Sequence, residues 1–161
     1  MVAERIELLP VRPEGIPEAL KSRPQWVNWR LEERNGDFTK VPYTPLTGRK
    51  ASSTDLLTWG TFEDALAAMQ AGQHYDGIGF VFSSGDPYCG VDLDECRNPD
   101  TGEVDEWADG IISNLNGYTE VSPSGRGIHV IVRGKTPSRR RNGIEVYSSE
   151  RFFTITGWVL R

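Results

Sequence analysis

Cysteine, histidine and methionine are scarce in this chain, with two of each among 161 residues, and no apolar run approaches the ~20 residues of a membrane-spanning helix. Cys89 and Cys96 are too few for a disulfide framework, and their spacing is not the C-x2-4-C of a zinc site. Adding His74 and His129 does not produce zinc-knuckle spacing, so no structural zinc is expected and both thiols are expected reduced. The opening MVAERIELLP lacks the apolar core of a signal peptide, and the chain therefore reads as intracellular, with no membrane partner. Walker A spacing occurs nowhere, which excludes a P-loop. A His-x-His metal pair is missing as well, which removes a rolling-circle initiator. There is no internal repeat and no low-complexity tract.

What is present fits one globular domain spanning 1–161: 37% apolar residues, 25% charged, 17 glycines and 10 prolines. The net charge of −5 hides a strong asymmetry. Residues 1–125 carry 10 Lys/Arg against 21 Asp/Glu, whereas residues 126–161 carry 8 against 2. An acidic half beside a basic one can hold metal ions next to phosphates.

The hydrophobic period divides the chain. A short helix around 16–22 leads into Gln25–Glu33, where Val27, Trp29 and Leu31 alternate with polar residues as in a half-buried strand. Asn35-Gly36 is a hairpin turn, with Phe38–Tyr43 as the returning strand. Thr58 or Thr61 caps a helix running to Gln70. Gly77–Phe82 and Tyr88–Asp94, separated by Ser-Ser-Gly-Asp-Pro, have the composition of an antiparallel hairpin. Trp107, Ile111 and Leu115 mark an amphipathic helix that Asn116-Gly117 ends. Strands are expected at Tyr118–Val121, Ile128–Arg133, Ile144–Tyr147 and Phe152–Thr156, which makes the class α+β and rich in antiparallel strands.

In Val91-Asp92-Leu93-Asp94 both carboxylates leave one face of a strand. Such a pair repels itself unless a cation sits between, and hard divalent ions take oxygen ligands. A solvated strand end is the competing reading, since acidic pairs at this spacing are common. The calcium loop is a poor fit, because Cys96 and Arg97 fall where an EF-hand needs an oxygen ligand and glycine. Ser122–His129 has the composition of a phosphate cradle: two glycines for close approach, with Ser124 and Arg126 as donors. In the strand that follows, His129 and Arg133 share the face opposite Ile128, Val130 and Val132. Glu145 leaves its strand beside Tyr147 and offers a third carboxylate, although alone it would be an ordinary cross-strand partner for an arginine. The basic run Arg133, Lys135, Arg139, Arg140, Arg141 lies between the His strand and the Glu strand, as a solvated loop or a groove for a nucleic-acid backbone.

Taken in order, these residues resemble the archaeo-eukaryotic primase superfamily, in particular the primase-polymerase domains at the N-termini of phage and plasmid replication proteins. Asp92-Leu93-Asp94 matches the family's Asp-x-Asp, Gly127-Ile128-His129 its small-x-His, and Ile144-Glu145 its later acidic position, with Glu where many members have Asp. Lys40-Val41-Pro42 and Arg151–Gly157 are similar to the phage branch. The resemblance implies an RRM-like antiparallel catalytic sheet with flanking helices (about 75–158) behind a small N-terminal αβ module (about 1–70). It implies a template-dependent nucleotidyltransferase, a DNA primase-polymerase adding dNTPs or NTPs to a primer 3′-hydroxyl on single-stranded DNA. Asp92, Asp94 and Glu145 would be the catalytic residues holding two Mg²⁺ or Mn²⁺ ions. His129, with Ser124, Arg126 and Arg133, would bind the nucleotide, and Lys135, Arg139, Arg140 and Arg141 the DNA.

Such a domain is expected in the cytoplasm of a bacterial or archaeal host, encoded by a phage, plasmid or other mobile element, and working with a helicase and a helical accessory domain. As a minimal catalytic fragment or a stand-alone module, this chain is expected to extend primers more readily than to start them. The alternatives are an inactive RRM-like module that binds single-stranded DNA, and a metal-dependent nuclease, for which the usual Glu-x-Lys is missing at Glu145-Val146-Tyr147.

Overall fold

The Asn35-Gly36 hairpin closes as its sequence dictates. In the computed structural model of the chain, which describes residues 6–72 and 74–160, β1 (Trp26–Arg34) and β2 (Asp37–Tyr43) pair antiparallel up to Arg34 opposite Asp37. Asn35 and Gly36 take φ of 52° and 85°, the backbone of a two-residue turn whose twist suits the paired strands. The short helix α1 (Glu18–Lys21) precedes them and buries Leu20.

β1 departs from the half-buried strand that its alternation suggests, because its first four residues are buried on both faces. Trp26 and Asn28 face helix α2 (Phe62–Gln70): Trp26 meets Phe62 edge-on, and the Asn28 amide donates to the Ala65 carbonyl at 2.8 Å. Trp29 occupies the other face over Gly77, where a Cβ would come within 2.7 Å of the indole nitrogen. The α2 cap is Thr61, not Thr58, which belongs to a separate 3-10 turn. Thr61 and Asp64 form a reciprocal capping box, a device that contributes about 1 kcal/mol.

The expected hairpin between β3 (Gly77–Phe82) and β4 (Tyr88–Leu93) does not form, and the two strands enter different sheets. Asp86 redirects the chain between them. Its carboxylate accepts from the backbone N–H groups of Ser83 and Tyr88, both at 2.7 Å, from the Gln25 amide at 2.8 Å and from Lys135 Nζ at 3.0 Å. β3 is an uninterrupted apolar run and β4 is apolar up to Asp92, and such runs name no partner by themselves.

The second half supplies helix α3 (Glu106–Leu115) and the strands β5 (Tyr118–Val121), β6 (Ile128–Arg133), β7 (Arg139–Arg141), β8 (Ile144–Tyr147) and β9 (Arg151–Ile155). All pairings are antiparallel, in a four-stranded sheet of order β2-β1-β3-β9 and a five-stranded sheet of order β5-β6-β4-β8-β7. The fold is therefore α+β with few helices, as expected. Part of the basic run is an edge strand rather than a loop, because Asn142 and Gly143, with φ of 37° and 83°, turn Arg141 onto Ile144.

Helix α3 covers the five-stranded sheet with Ala108, Ile111, Ile112 and Leu115 against Val91, Leu93, Ile128 and Val130. Trp107, assigned by its spacing to the apolar face, is exposed instead. A second core joins the two sheets, and at Gly90 they are in close contact. A Cβ there would lie 2.5 Å from the rings of both Phe82 and Phe153, so the aromatic side chains of one sheet sit directly on the backbone of the other.

Candidate active site

Strand pairing aligns one residue from each strand of the five-stranded sheet into a single row. Glu120 of β5 is opposite His129 of β6, His129 is opposite Asp92 of β4, Asp92 is opposite Glu145 of β8, and Glu145 is opposite Arg140 of β7. Residues directly paired across strands share a face. Local alternation puts each of these side chains on one side of its own strand. The register then brings five ionisable groups, distant in sequence, into line.

The contacts follow the row. His129 Nδ1 is 3.1 Å from Glu120 Oε2, and His129 Nε2 is 3.6 Å from Asp92 Oδ1. Glu145 is bound from two sides, by Arg140 Nε at 2.7 Å and by the Tyr147 hydroxyl at 3.0 Å. Glu120 is wholly buried and fully partnered, accepting also from the Tyr118 hydroxyl and from the backbone N–H groups of Thr156 and Gly157. Sequence reasoning misses Glu120. Its alternation in Tyr118-Thr119-Glu120-Val121 is legible, but only the register reveals its partner.

Asp92, His129 and Glu145 line a cavity of about 210 Å³ together with Tyr147 and, from the other sheet, Lys40, Phe152, Phe153 and Thr154. Arg151 lies at its margin over the Tyr147 ring. The His129 imidazole packs against Phe153, with centroids 5.1 Å apart. Asp94 follows directly after the strand, on the same side as Asp92. Loss of hydration raises the Asp94 pKa above the usual carboxylate value, and repulsion from Asp92 and Glu145 adds to this against Lys40 and His129. Lys40 is lowered by loss of hydration and raised by Asp92 and Asp94. Desolvation, then the bond to Glu145, pushes the Tyr147 phenol upward.

The Ser122–Gly127 loop is braced from behind. Ser122 Oγ accepts from Gly127 N at 3.0 Å, the Arg126 carbonyl accepts from Cys96 N and Arg97 N, and Arg97 Nη1 donates to the Gly125 carbonyl at 2.8 Å. Gly127 has a physical reason to be small: a Cβ would lie 2.9 Å from the Leu93 carbonyl, immediately before Asp94. Ser124 and Arg126 are exposed on this loop and line a second groove, of about 870 Å³, rather than the His129 cavity.

Other predicted residues are placed elsewhere. Ile131 separates Arg133 from His129 on their common face and is buried in the core, so Arg133 lies at the far end of β6 over the Tyr88 ring. Lys135 is occupied by the Ser83 and Ser148 carbonyls and by the buried Asp86 carboxylate. Arg139 and Arg141 are exposed on the edge strand, and Arg140 is held by Glu145. Cys89 and Cys96 are buried free thiols, and desolvation pushes Cys96 up to about 11.

Among the described residues, no three His, Cys, Asp or Glu side chains converge closely enough to enclose an ion. The donors around the end of β4 nevertheless suit a hard cation: the carboxylates of Asp92 and Asp94, two residues apart along the chain, and that of Glu145 opposite Asp92, with Asp92 and Glu145 repelling Asp94. No helix among the described residues is long and apolar enough to cross a membrane.

No protein-family model matches the chain. A DNA primase-polymerase of Nitratiruptor phage NrS-1 is 41% identical to it over an alignment of 150 residues that covers 88% of this chain. The chain spans about a fifth of that relative's length, since the match covers 20% of it.

Proposed function

We propose that this chain, an archaeo-eukaryotic-type primase-polymerase by its kinship with the phage protein, is the part that performs template-directed nucleotidyl transfer to a primer 3′-hydroxyl. The observation that carries the reading is the row Glu120, His129, Asp92, Glu145. It puts carboxylate oxygens, which suit hard cations, beside an oriented imidazole between the two sheets.

Asp92, Asp94 and Glu145 would hold two Mg²⁺ or Mn²⁺ ions, whose chemistry is to acidify the primer hydroxyl and to stabilise the departing pyrophosphate. Every other contribution comes from the chain. Glu120 accepts a hydrogen bond from the Nδ1–H of His129 and turns Nε2 toward the cavity, where the ring would contact a phosphate oxygen. Arg126 and Ser124 offer further donors on the exposed loop. Phe153 packs against the imidazole and lines the cavity, and with Phe82 it rests on Gly90. Arg139 and Arg141, on an exposed edge, suit a nucleic-acid backbone. The substrates on this reading are single-stranded template, primer and dNTP or NTP, in the cytoplasm of a host cell, with a helicase and a helical accessory domain as partners.

The test is extension of a labelled primer on a single-stranded template with Mg²⁺ or Mn²⁺, comparing wild type with Asp92→Ala. Template-dependent extension, abolished in a folded variant, is the expected result. Intact, bound and unextended DNA in the wild type would leave a binding module, and degradation without nucleotides would leave a nuclease.

A further inference from the structure

Lys40 is a cation facing the carboxylates from the opposite sheet. It sits on β2, an edge strand, and lines the same cavity as Asp92, His129 and Glu145. Among the described residues its ammonium makes no hydrogen bond or direct ion pair, in contrast to Lys135, which three oxygens hold, and Arg140, which Glu145 holds. Its nearest aromatic support is the Trp29 ring, with Nζ 6.0 Å from the centroid. The charges around it are shared out unevenly. Glu145 has Arg140, and Asp92 has the His129 ring at 3.6 Å, but among the described residues Asp94 has no basic side chain in direct contact. The electrostatic coupling is reciprocal, since Lys40 acts on Asp94, and Asp92 and Asp94 act on Lys40.

On the reading of Asp92 and Asp94 as metal ligands, we propose that Lys40 is the resident counter-ion of that site. Its ammonium offsets the aspartates while no divalent ion is bound, and transfers its attraction to the nucleoside triphosphate once ions are in place. The reason is a reversal of local charge. Three carboxylates attract a lysine, whereas the same three with two dications repel it, and the nearest anion is then the polyphosphate of the substrate. An ammonium on an exposed edge strand, bound to no other group, can make that change without rearranging the fold.

The two halves predict effects of opposite sign from one substitution, which removal of a merely structural residue would not produce. Metal-free protein is titrated with Mn²⁺ by calorimetry, and the same protein saturated with Mg²⁺ is titrated with dATP. The proteins compared are wild type, Lys40→Gln, Lys40→Arg and Asp92→Asn, each first shown to melt cooperatively. Lys40→Gln is expected to bind Mn²⁺ about threefold more tightly and dATP about threefold more weakly, with Lys40→Arg close to wild type in both. The proposal is overturned if Lys40→Gln leaves Mn²⁺ affinity unchanged or weaker while Asp92→Asn abolishes it. If wild-type Mn²⁺ binding is indifferent to Asp92→Asn, the metal-ligand reading falls instead and takes the proposal with it. Should Lys40→Gln fold poorly, Lys40→Met, which keeps the length of the side chain, provides the same comparison.

Discussion

His129 Nδ1 lies 3.1 Å from Oε2 of Glu120, a carboxylate with no exposed surface that also accepts from Tyr118, Thr156 and Gly157. The imidazole is thereby fixed in one orientation, with Nε2 turned toward Asp92.

From this follows a separation of two substitutions at position 120. Glu120→Ala strips a buried imidazole and two backbone N–H groups of their acceptor and is expected to cost about 3–5 kcal/mol in urea denaturation. Glu120→Gln keeps the shape and an acceptor oxygen but removes the charge that holds the Nδ1 proton. It is expected to remain folded while primer extension falls about 10- to 100-fold, the usual cost of removing a group that orients an active-site histidine. Full activity in a folded Glu120→Gln would sink the orienting role.

Asp94 yields a prediction in which stability and activity move in opposite directions. Its folded pKa is raised above the ordinary aspartate value of 3.8 by desolvation and by repulsion from Asp92 and Glu145. Ionising it in the folded state therefore carries a penalty, which is absent below about pH 3.8, sets in as pH rises, and is complete above the folded pKa. Asp94→Asn should accordingly melt higher than wild type at pH 7 without divalent ions. The difference should shrink on acidification or when Mg²⁺ is added, and the variant should not extend primers. A lower melting point at pH 7 would show that Asp94 stabilises the fold instead.

Gly90→Ala introduces a methyl group 2.5 Å from the Phe82 and Phe153 rings. Overpacking of this kind costs roughly 1–3 kcal/mol, which thermal denaturation reads directly. Because Phe153 also packs on His129, activity should fall more steeply than stability alone explains, as shown by residual extension at a temperature where the variant is fully folded.

The basic residues divide by their partners. Lys135→Ala leaves the buried Asp86 carboxylate without its cation and is expected to lower stability by about 1–3 kcal/mol with little effect on DNA affinity. The paired change Arg139→Ala and Arg141→Ala should leave the melting point nearly unchanged. It should weaken single-stranded DNA binding and lower the salt slope of log K by about one for each phosphate that is no longer neutralised. Fluorescence anisotropy at several salt concentrations separates the two cases, and a flat response in the double variant would remove this strand from the DNA path.

Much of the candidate site is legible in the sequence. Asp92 and Asp94 declare themselves by alternation, His129 by its place after a Gly/Ser loop, and Glu145 by sharing a face with Tyr147. Each is a statement about neighbours within one strand. The failures concern the same strands at longer range. β3 and β4 read as a hairpin because five turn-forming residues separate them, yet Asp86 gathers its donors from Gln25 and Lys135, far away in the chain. Trp107 falls on the apolar stripe by spacing, but the sheet beneath α3 is covered by Ala108 and the residues a turn or two beyond it. Asn28 counts as an outward polar residue and is buried, because Ala65 of α2 offers its carbonyl there.

The sequence alone determined which face each side chain leaves, where the chain turns, and which chemical groups it holds. These properties follow from backbone geometry over a few residues, such as the positive φ that Asn35-Gly36 and Asn142-Gly143 accept. Only the tertiary structure decided which strands pair and in what register. That choice set Glu120 against His129, His129 against Asp92 and Asp92 against Glu145, and it brought Lys40 over from the other sheet. The reason is that register comes from the packing of whole faces, here Phe82 and Phe153 on Gly90 and α3 on Val91, Leu93, Ile128 and Val130. A slip of β4 by one residue would turn Asp92 away from the cavity and onto the face that α3 covers, and no pattern confined to a single strand carries that information.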